Sequence, residues 1–170
     1  MKFKSFKEML LSNVKNHANN VALAYDEDGE IKSLTYAELY REISARREQI
    51  ARLDANCVGI LQAPSKKWII DMFACVLARK QTVLLDPMSE PTVIQAQTLA
   101  TDVETLLTDE LTSRHASLLK TAPVGTVAPS KDEGDILFFT SGTTNSSKAV
   151  VLTSSSLCAS AWNGQAKCPC

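Results

Sequence analysis

The stretch 135–153, DILFFTSGTTNSSKAVVLT, holds the residues best suited to chemistry. Thr140, Ser141, Thr143, Thr144, Ser146 and Ser147 offer hydroxyls, and the backbone N–H groups of the same loop add further donors. Gly142 lets the main chain come close to a ligand, and Lys148 ends the loop with one flexible cation. Many short donors, close backbone approach and a point charge are what a polyphosphate requires. The loop is not a Walker A motif, which places Gly before its Lys and Ser/Thr after it. Here Ser147 precedes Lys148 and Ala149 follows it. The plain structural alternative is a solvated Ser/Thr-rich turn between two strands.

Other reactive groups are scarcer. Asp86 ends an apolar run and invites a catalytic reading, but an Asp before Pro at a strand end commonly fixes a turn. Lys66 and Lys67 beside Trp68 are suited to a solvated helix start as well as to a nucleic-acid patch. His17 and His115 stand alone in polar helical contexts, and Cys168-Pro169-Cys170 is not C-x-x-C and has no second pair at zinc spacing. Cys57 and Cys75 fall in core elements, where a reduced thiol is a small apolar side chain. No metal site is expected within these residues.

The elements that must position the loop are legible in order. Ser5-Phe-Lys-Glu8 opens a helix over 5–17, with Phe6, Met9, Leu10 and Val14 on one face. Val21–Tyr25 and Ile31–Leu34 flank Asp26-Glu-Asp-Gly29 as a hairpin. Thr35-Tyr-Ala-Glu38 is a second capping box, followed by a helix with Leu39, Ile43, Ile50 and Leu53 inward. Cys57–Ala63 reads as a buried strand, Lys67–Arg79 as a crossover helix that is apolar nearly all round, and Thr82–Leu85 as the next strand. Together these make a βαβ unit with a right-handed crossover. A helix from Ser89-Glu-Pro91 through Val93, Ala96 and Leu99, a strand at Val103–Leu107 and a helix at Leu111–Leu119 follow. A surface connection at 121–134 delivers the chain to a strand at 136–139, and Ala149–Leu152 resumes the apolar pattern. Ligands of open parallel sheets bind beyond the carboxyl ends of the strands, which are Ala63-Pro64, Asp86-Pro87, Thr108-Asp109 and Thr140-Ser141. The polar loop therefore falls on the ligand-binding edge.

Composition sets bounds. The chain of 170 residues is 45% hydrophobic and 22% charged with net charge −1, as in an ordinary globular α/β domain without an electrostatic footprint for nucleic acid. No apolar run approaches a membrane span, and MKFKSFKEML is too polar for a signal peptide, so a cytoplasmic address is expected.

The order of residues adds a resemblance. TSGTTNSSKAVVLT is similar to the phosphate-binding signature of the adenylate-forming superfamily, which includes acyl-CoA synthetases, peptide-synthesis adenylation domains and luciferases. Phe139, Thr140, Ser141, Gly142, Thr143, Thr144, Lys148, Val150 and Thr153 fall on that pattern in register. Asn145, Ser147, Ala149 and Ser154 depart from it, and Asn145 is the best non-Gly choice for a positive φ. LTYAEL at 34–39 and VGILQAPSKKWIIDMFACVLARKQTVLLDP at 58–87 extend the resemblance. It implies a mostly parallel sheet flanked by helices, the N-terminal subdomain of an acyl-CoA synthetase-like fold, with residues 1–170 as the N-terminal part of a longer AMP-binding domain. SSSLCASAWNG at 154–164 reads as a helix capped by Ser154 and stopped at Gly164. Exposed apolar residues Leu157, Ala161 and Trp162 are expected to favour self-association.

The implied activity is ATP-dependent conversion of a carboxylic acid to an acyl-adenylate, followed by thioester formation with coenzyme A. Thr140, Ser141, Gly142, Thr143, Thr144 and Lys148 would bind the ATP phosphates, with Mg²⁺ bridging them. By the same resemblance, the catalytic and metal-ligating residues lie downstream. An amino-acid adenylation domain, a non-catalytic phosphate-binding module and a pseudo-enzyme are the alternatives. The loop is expected to be mobile without nucleotide.

Overall fold

A computed structural model describes residues 3–110, 112–117, 119–140 and 148–167, with side chains of 115 and 162–167 excepted. Helix α1 (Phe6–His17) starts where Ser5 Oγ accepts from Glu8 N at 3.1 Å, while the Glu8 carboxylate reaches past Ser5 to Lys4 N at 2.8 Å. The hairpin β1 (Val21–Glu27) and β2 (Glu30–Thr35) is longer than the sequence reading by about one pair at each end. Its turn is Asp28-Gly29, with φ of 57° and 82°, the positive values that a two-residue turn of matching twist demands. Thr35 and Glu38 then form the expected reciprocal box at the head of α2 (Tyr36–Ala51), which buries Leu39, Ile43 and Ile50.

The main sheet follows: β3 (Cys57–Leu61), α3 (Lys66–Leu77), β4 (Gln81–Leu85), α4 (Pro91–Ala100), β5 (Thr105–Thr108), α5 (Ser113–Ala116), β6 (Ile136–Thr140), β7 (Lys148–Leu152) and α6 (Ser154–Lys167). Its order is β5-β3-β4-β6-β7, parallel through the first four strands and antiparallel at β6–β7. Strand periodicity sends alternate residues to two cores. Cys57, Leu61, Val83, Leu85 and Leu137 pack with Ile94 of α4, whereas Val58 and Ile60 pack with Ala74 and Cys75 of α3 and Ile50 of α2. A third cluster joins Phe6, Val76, Ile136 and Cys158, tying α1, α3 and α6 to the far half of the sheet.

Two close approaches fix the strand register. A Cβ on Gly59 would stand 2.7 Å from a Leu106 side-chain carbon. On Gly134 it would stand 1.8 Å from the main-chain oxygen of Lys80, so the chain entering β6 lies directly against the start of β4.

Two details differ from the sequence reading, and in α4 the structure adds an inward face that the reading left open. The expected helix 111–119 is only Ser113–Ala116. Beyond it the chain is drawn to α4, where Gln95 accepts from Lys120 N at 2.7 Å and donates to Lys120 O at 3.0 Å, and to Val103, whose O accepts from Ala122 N at 2.7 Å. Helix α6 runs through Gly164 to Lys167, because a single helical Gly costs only about 1 kcal/mol and is not by itself a stop. In α4 the inward residues are Ile94, Gln97 and Thr98, while Val93, Ala96 and Leu99 lie on the outer face.

Candidate functional site

The carboxyl edge of the sheet is held by side chains where the backbone ladder ends. Asp71 of α3 is 1% exposed and accepts from Arg46 Nε, from Lys67 Nζ at 2.8 Å and from Gln62 Nε2 at 2.8 Å. Burial pushes its carboxyl up, but the bonds from Arg46, Lys67 and Gln62 outweigh it and hold Asp71 below the usual carboxylate range. Gln62 and Lys67 also donate to Thr108 O, at 3.3 and 3.1 Å, which ties the ends of β3 and β5 to α3. On the same edge Asp109 accepts from Ala63 N at 2.8 Å, and Thr112 donates to Leu61 O at 2.6 Å. Lys67 is thus part of this network, and Lys66 lies over the Tyr25 ring at 5.0 Å. Neither belongs to a basic patch.

The exits from β3 and β4 lead to opposite faces, to α3 and α4, and a crevice forms between such strands. The β4–β6 pairing contributes to the opening: its register covers only Thr82↔Ile136 and Val83↔Leu137. Past that point Leu84 and Leu85 on one side and Phe138 and Phe139 on the other line a cleft of about 650 Å³. Trp68, Gln62, Gln97, Asp86 and Thr140 complete the part of the lining that bears on chemistry. Asp86 makes the turn anticipated for it: its carboxylate accepts from Met88 N at 2.9 Å, and its carbonyl from Ser89 N at 3.1 Å. A larger depression of about 740 Å³ lies near the start of β6 and the end of β7. There Lys4, Lys7, Arg47, Arg79 and Lys131 face Asp132, Glu133 and Asp135, so cations and carboxylates are mixed along its lining.

Of the six residues expected to hold phosphate, two lie within the described structure. Thr140 ends β6 and Lys148 begins β7; they are paired across the antiparallel ladder, and both are exposed. Thr140 is also on the rim of the cleft. Ser141, Gly142, Thr143 and Thr144, with the expected mobility of their loop, lie outside the described residues, as do Cys168, Cys170 and the side chains of His115 and Trp162. The expected self-association face is partly taken up, because Leu157 packs against the cluster of Phe6, Val76 and Ile136 while Ala161 is exposed. Sequence reasoning did not single out Gln62 or Gln97. A Gln in a strand otherwise reading CVGIL, and another on a helix of small and apolar residues, were the available signals.

A doubly wound sheet with a cleft at its carboxyl edge, where Thr140 and Lys148 pair, defines an open α/β domain. The model of the AMP-binding enzyme family matches residues 10–169, and the chain belongs to that family. Among solved structures it is similar to o-succinylbenzoate coenzyme A synthetase from Bacillus subtilis in complex with AMP (TM-score 0.76, 22% identity), over 95% of this chain and 46% of that one. The same enzyme with ATP and magnesium ion gives a TM-score of 0.74 at 20% identity, over 93% of this chain and 46% of that one. The N-terminal subdomain of NpsA from Klebsiella oxytoca, in complex with anthranilyl-AMSN, gives 0.66 at 20% identity, over 89% and 41%. The chain therefore spans less than half the length of these structures. A search of curated protein sequences finds no match.

Proposed function

We propose that the protein carrying this chain activates a carboxylic acid with ATP and passes the acyl group to the thiol of coenzyme A. In the first step a carboxylate oxygen bonds to the α-phosphorus, the bond from that phosphorus to the bridging oxygen breaks, and pyrophosphate leaves with the electron pair. Negative charge grows on the leaving group, so donors and a cation around it lower the barrier. The observation that carries this reading is the pairing of Thr140 with Lys148 across β6–β7, on the sheet edge and beside the cleft. Both are exposed, so neither is spent on the core. Residues 141–144 would add their hydroxyls and N–H groups between them.

Magnesium fits this arrangement as a partner of the phosphates. Among the described residues no cluster of three His, Cys, Asp or Glu could hold a metal by itself. The ion would neutralise phosphate charge, while Thr140 and Lys148 orient the chain of oxygens. Membership of the AMP-binding family and the acyl-adenylate complex known for the Bacillus subtilis synthetase support acid adenylation. Transfer to coenzyme A follows the name of that same neighbour. No helix among the described residues is long and apolar enough to cross a membrane, and the acid and nucleotide would be taken from solution.

The test is ATP–pyrophosphate exchange by the complete protein with a panel of acids, comparing Lys148→Ala and Lys148→Arg. Because Lys148 is exposed, Ala should change stability by less than about 0.5 kcal/mol. Exchange should fall about 10²-fold or more with Ala, and Arg should recover only part of it, since a planar fork replaces a compact ammonium. Parent-rate exchange by both variants would remove Lys148 from the site. Nucleotide binding without exchange on any acid would favour a phosphate-binding module.

A further inference from the structure

The depression at the amino edge of the sheet gathers cations that the fold leaves unpaired. Lys4, Lys7, Arg47, Arg79 and Lys131 line it, and none of the five makes an ion pair among the described residues. Of its three carboxylates, Glu133 is already occupied by Phe6 N and Lys7 N at the start of α1. Asp132 and Asp135 remain, so the surplus is positive.

Arg79 holds its place against a backbone preference. It follows the C-cap of α3 with φ of 63°, and the bonds from Arg79 N to Val76 O and from Lys80 N to Cys75 O, both 3.0 Å, complete a Schellman turn. That position favours Gly, because a side chain there is strained. The Arg79 side chain is exposed and makes no hydrogen bond or ion pair among the described residues, so nothing in the fold calls for Arg.

Helix α6 brings the matching donors. Ser154 and Cys158 lie one turn apart on one face, and Cys158 packs with Phe6, Val76 and Ile136. The start of α6 therefore stands beside the start of α1 and the last turn of α3. Ser154 is 7% exposed and lines the depression, and its hydroxyl has no hydrogen-bond partner among the described residues. Its oxygen keeps accessible surface, which the Oε1 atoms of Gln62 and Gln97 do not. The N–H groups of Ser154 and Ser155 are also unpaired, whereas Ser156 N is capped by Thr153 Oγ1 at 3.1 Å. A hydroxyl, two N–H groups at the positive end of a 14-residue helix and unpaired guanidiniums suit a tetrahedral anion.

We propose that this depression binds a phosphate monoester with a polar body. Ser154, Ser155 and Arg79 hold the phosphoryl group, and the body lies across Tyr40, Ser44 and Ser130. A volume of about 740 Å³ is that of a small-molecule site and far exceeds a free phosphate ion. Asp132 and Asp135 disfavour di- and triphosphates. The site is separate from the Thr140–Lys148 pair: β6 and β7 have their opposite ends here, a five-residue strand or about 16 Å away.

The test is calorimetric titration of the 170-residue chain at low ionic strength with glucose 6-phosphate, inorganic phosphate and glucose. The ester should bind more tightly than phosphate, and glucose should give no signal. Ser155→Asp sets the chain's own carboxylate at the exposed second position of α6, where it favours the helix and should abolish ester binding. Arg79→Gly relieves the left-handed position, so Tm should rise by about 2–4 °C while the ester binds about tenfold more weakly or worse. Those opposite signs separate a ligand-holding Arg from a structural one, and thermal melts confirm that each variant is folded. Lys148→Ala should leave ester binding unchanged. Absence of ester binding would overturn the proposal, as would full-strength binding in either Arg79→Gly or Ser155→Asp. Binding lost with Lys148→Ala would put the phosphoryl group at the other edge and overturn it equally. Tighter binding of phosphate than of the ester would make this a free-ion site and refute the ester assignment.

Discussion

Substituting Gly134 by Ala is a sharp test of how β6 is seated. A Cβ there would lie 1.8 Å from Lys80 O, 2.5 Å from Lys80 C and 3.1 Å from Lys80 N. All three are main-chain atoms, so no side chain can rotate away. The 134–135 backbone must retreat, and two hydrogen bonds stand in its path: Gly134 N to Val76 O at 2.9 Å and Thr82 N to Asp135 O at 2.8 Å. Losing them costs about 1 kcal/mol each, and overpacking adds about 1–3 kcal/mol, giving a total of about 3–5 kcal/mol. For a chain of this size each kcal/mol lowers Tm by about 2–4 °C, so a fall of roughly 6–20 °C is expected. Thermal and urea unfolding followed by circular dichroism would measure it, with Gly125→Ala as control. Gly125 has a positive φ of 87° but open space around its Cβ position, so it should cost only about 1 kcal/mol. A Gly134→Ala protein melting within about 2 °C of its parent, a shift no larger than about 1 kcal/mol is expected to produce, would refute the close approach. Thr140 ends the strand that would be pushed and pairs with Lys148 on β7, so under the proposed function ATP–pyrophosphate exchange should fall with stability.

Glu104→Ala should destabilise by about 3 kcal/mol or more, read from a urea midpoint. The carboxylate is 5% exposed and accepts from the backbone N–H groups of Asn56, Cys57 and Val127, and Ala leaves these donors unpaired. Burial raises the Glu104 carboxyl, but the N–H groups of Val127, Asn56, Cys57 and Gly125 outweigh it and hold it low, and Asp71 is likewise held low. Depressed carboxylates stabilise fully above their unfolded values, about pH 4, and that stability is lost as pH falls through the folded values. The urea midpoint should therefore be flat from neutral pH to about 5 and drop below about 4, less steeply in Glu104→Gln. An acid limb of unchanged slope in that variant would exclude Glu104 as a source.

Much of this arrangement was legible because its signals are local. Thr35 and Glu38 announce α2 through a reciprocal bond between residues three apart, and Asp28-Gly29 announces the hairpin through φ alone. The βαβ unit reads directly from a run of apolar residues whose length and flanks suit a strand, a helix and a strand. What was hidden depends on partners distant in sequence. Helix α5 is cut short by bonds to Gln95 and Val103, neither of which its own sequence mentions. The outward turn of Val93 and Leu99 reflects where the β3–β4 core lies, not the hydrophobicity of α4 itself. Within the site, the hydroxylated stretch and Lys148 stood out by composition, while the cleft required knowing that β4 and β6 part after Val83 and Leu137. Orphaned oxygens on Gln62 and Gln97 are visible only once their neighbours are placed.

The seating of α1 has a consequence for the order of assembly. Phe6 N and Lys7 N, at the positive end of that helix, both donate to the Glu133 carboxylate, at 2.9 and 2.8 Å, across 127 and 126 positions of sequence. An isolated helix of 12 residues is marginal in water, so α1 cannot rely on its own turn energy. Its clasp is not yet synthesised when it leaves the ribosome. At about 5–20 residues per second, Glu133 follows on the order of 6–25 s later. During that interval Leu10 can already meet Leu34, Leu39, Ile43 and Ile70, but Phe6 lacks Ile136 and Cys158, so the start of the helix stays without part of its cover. The N-terminal end of the first helix is therefore among the last parts to lock, and it does so as β6 comes into place. Closure of the chain's earliest segment and arrival of β6 become a single late event.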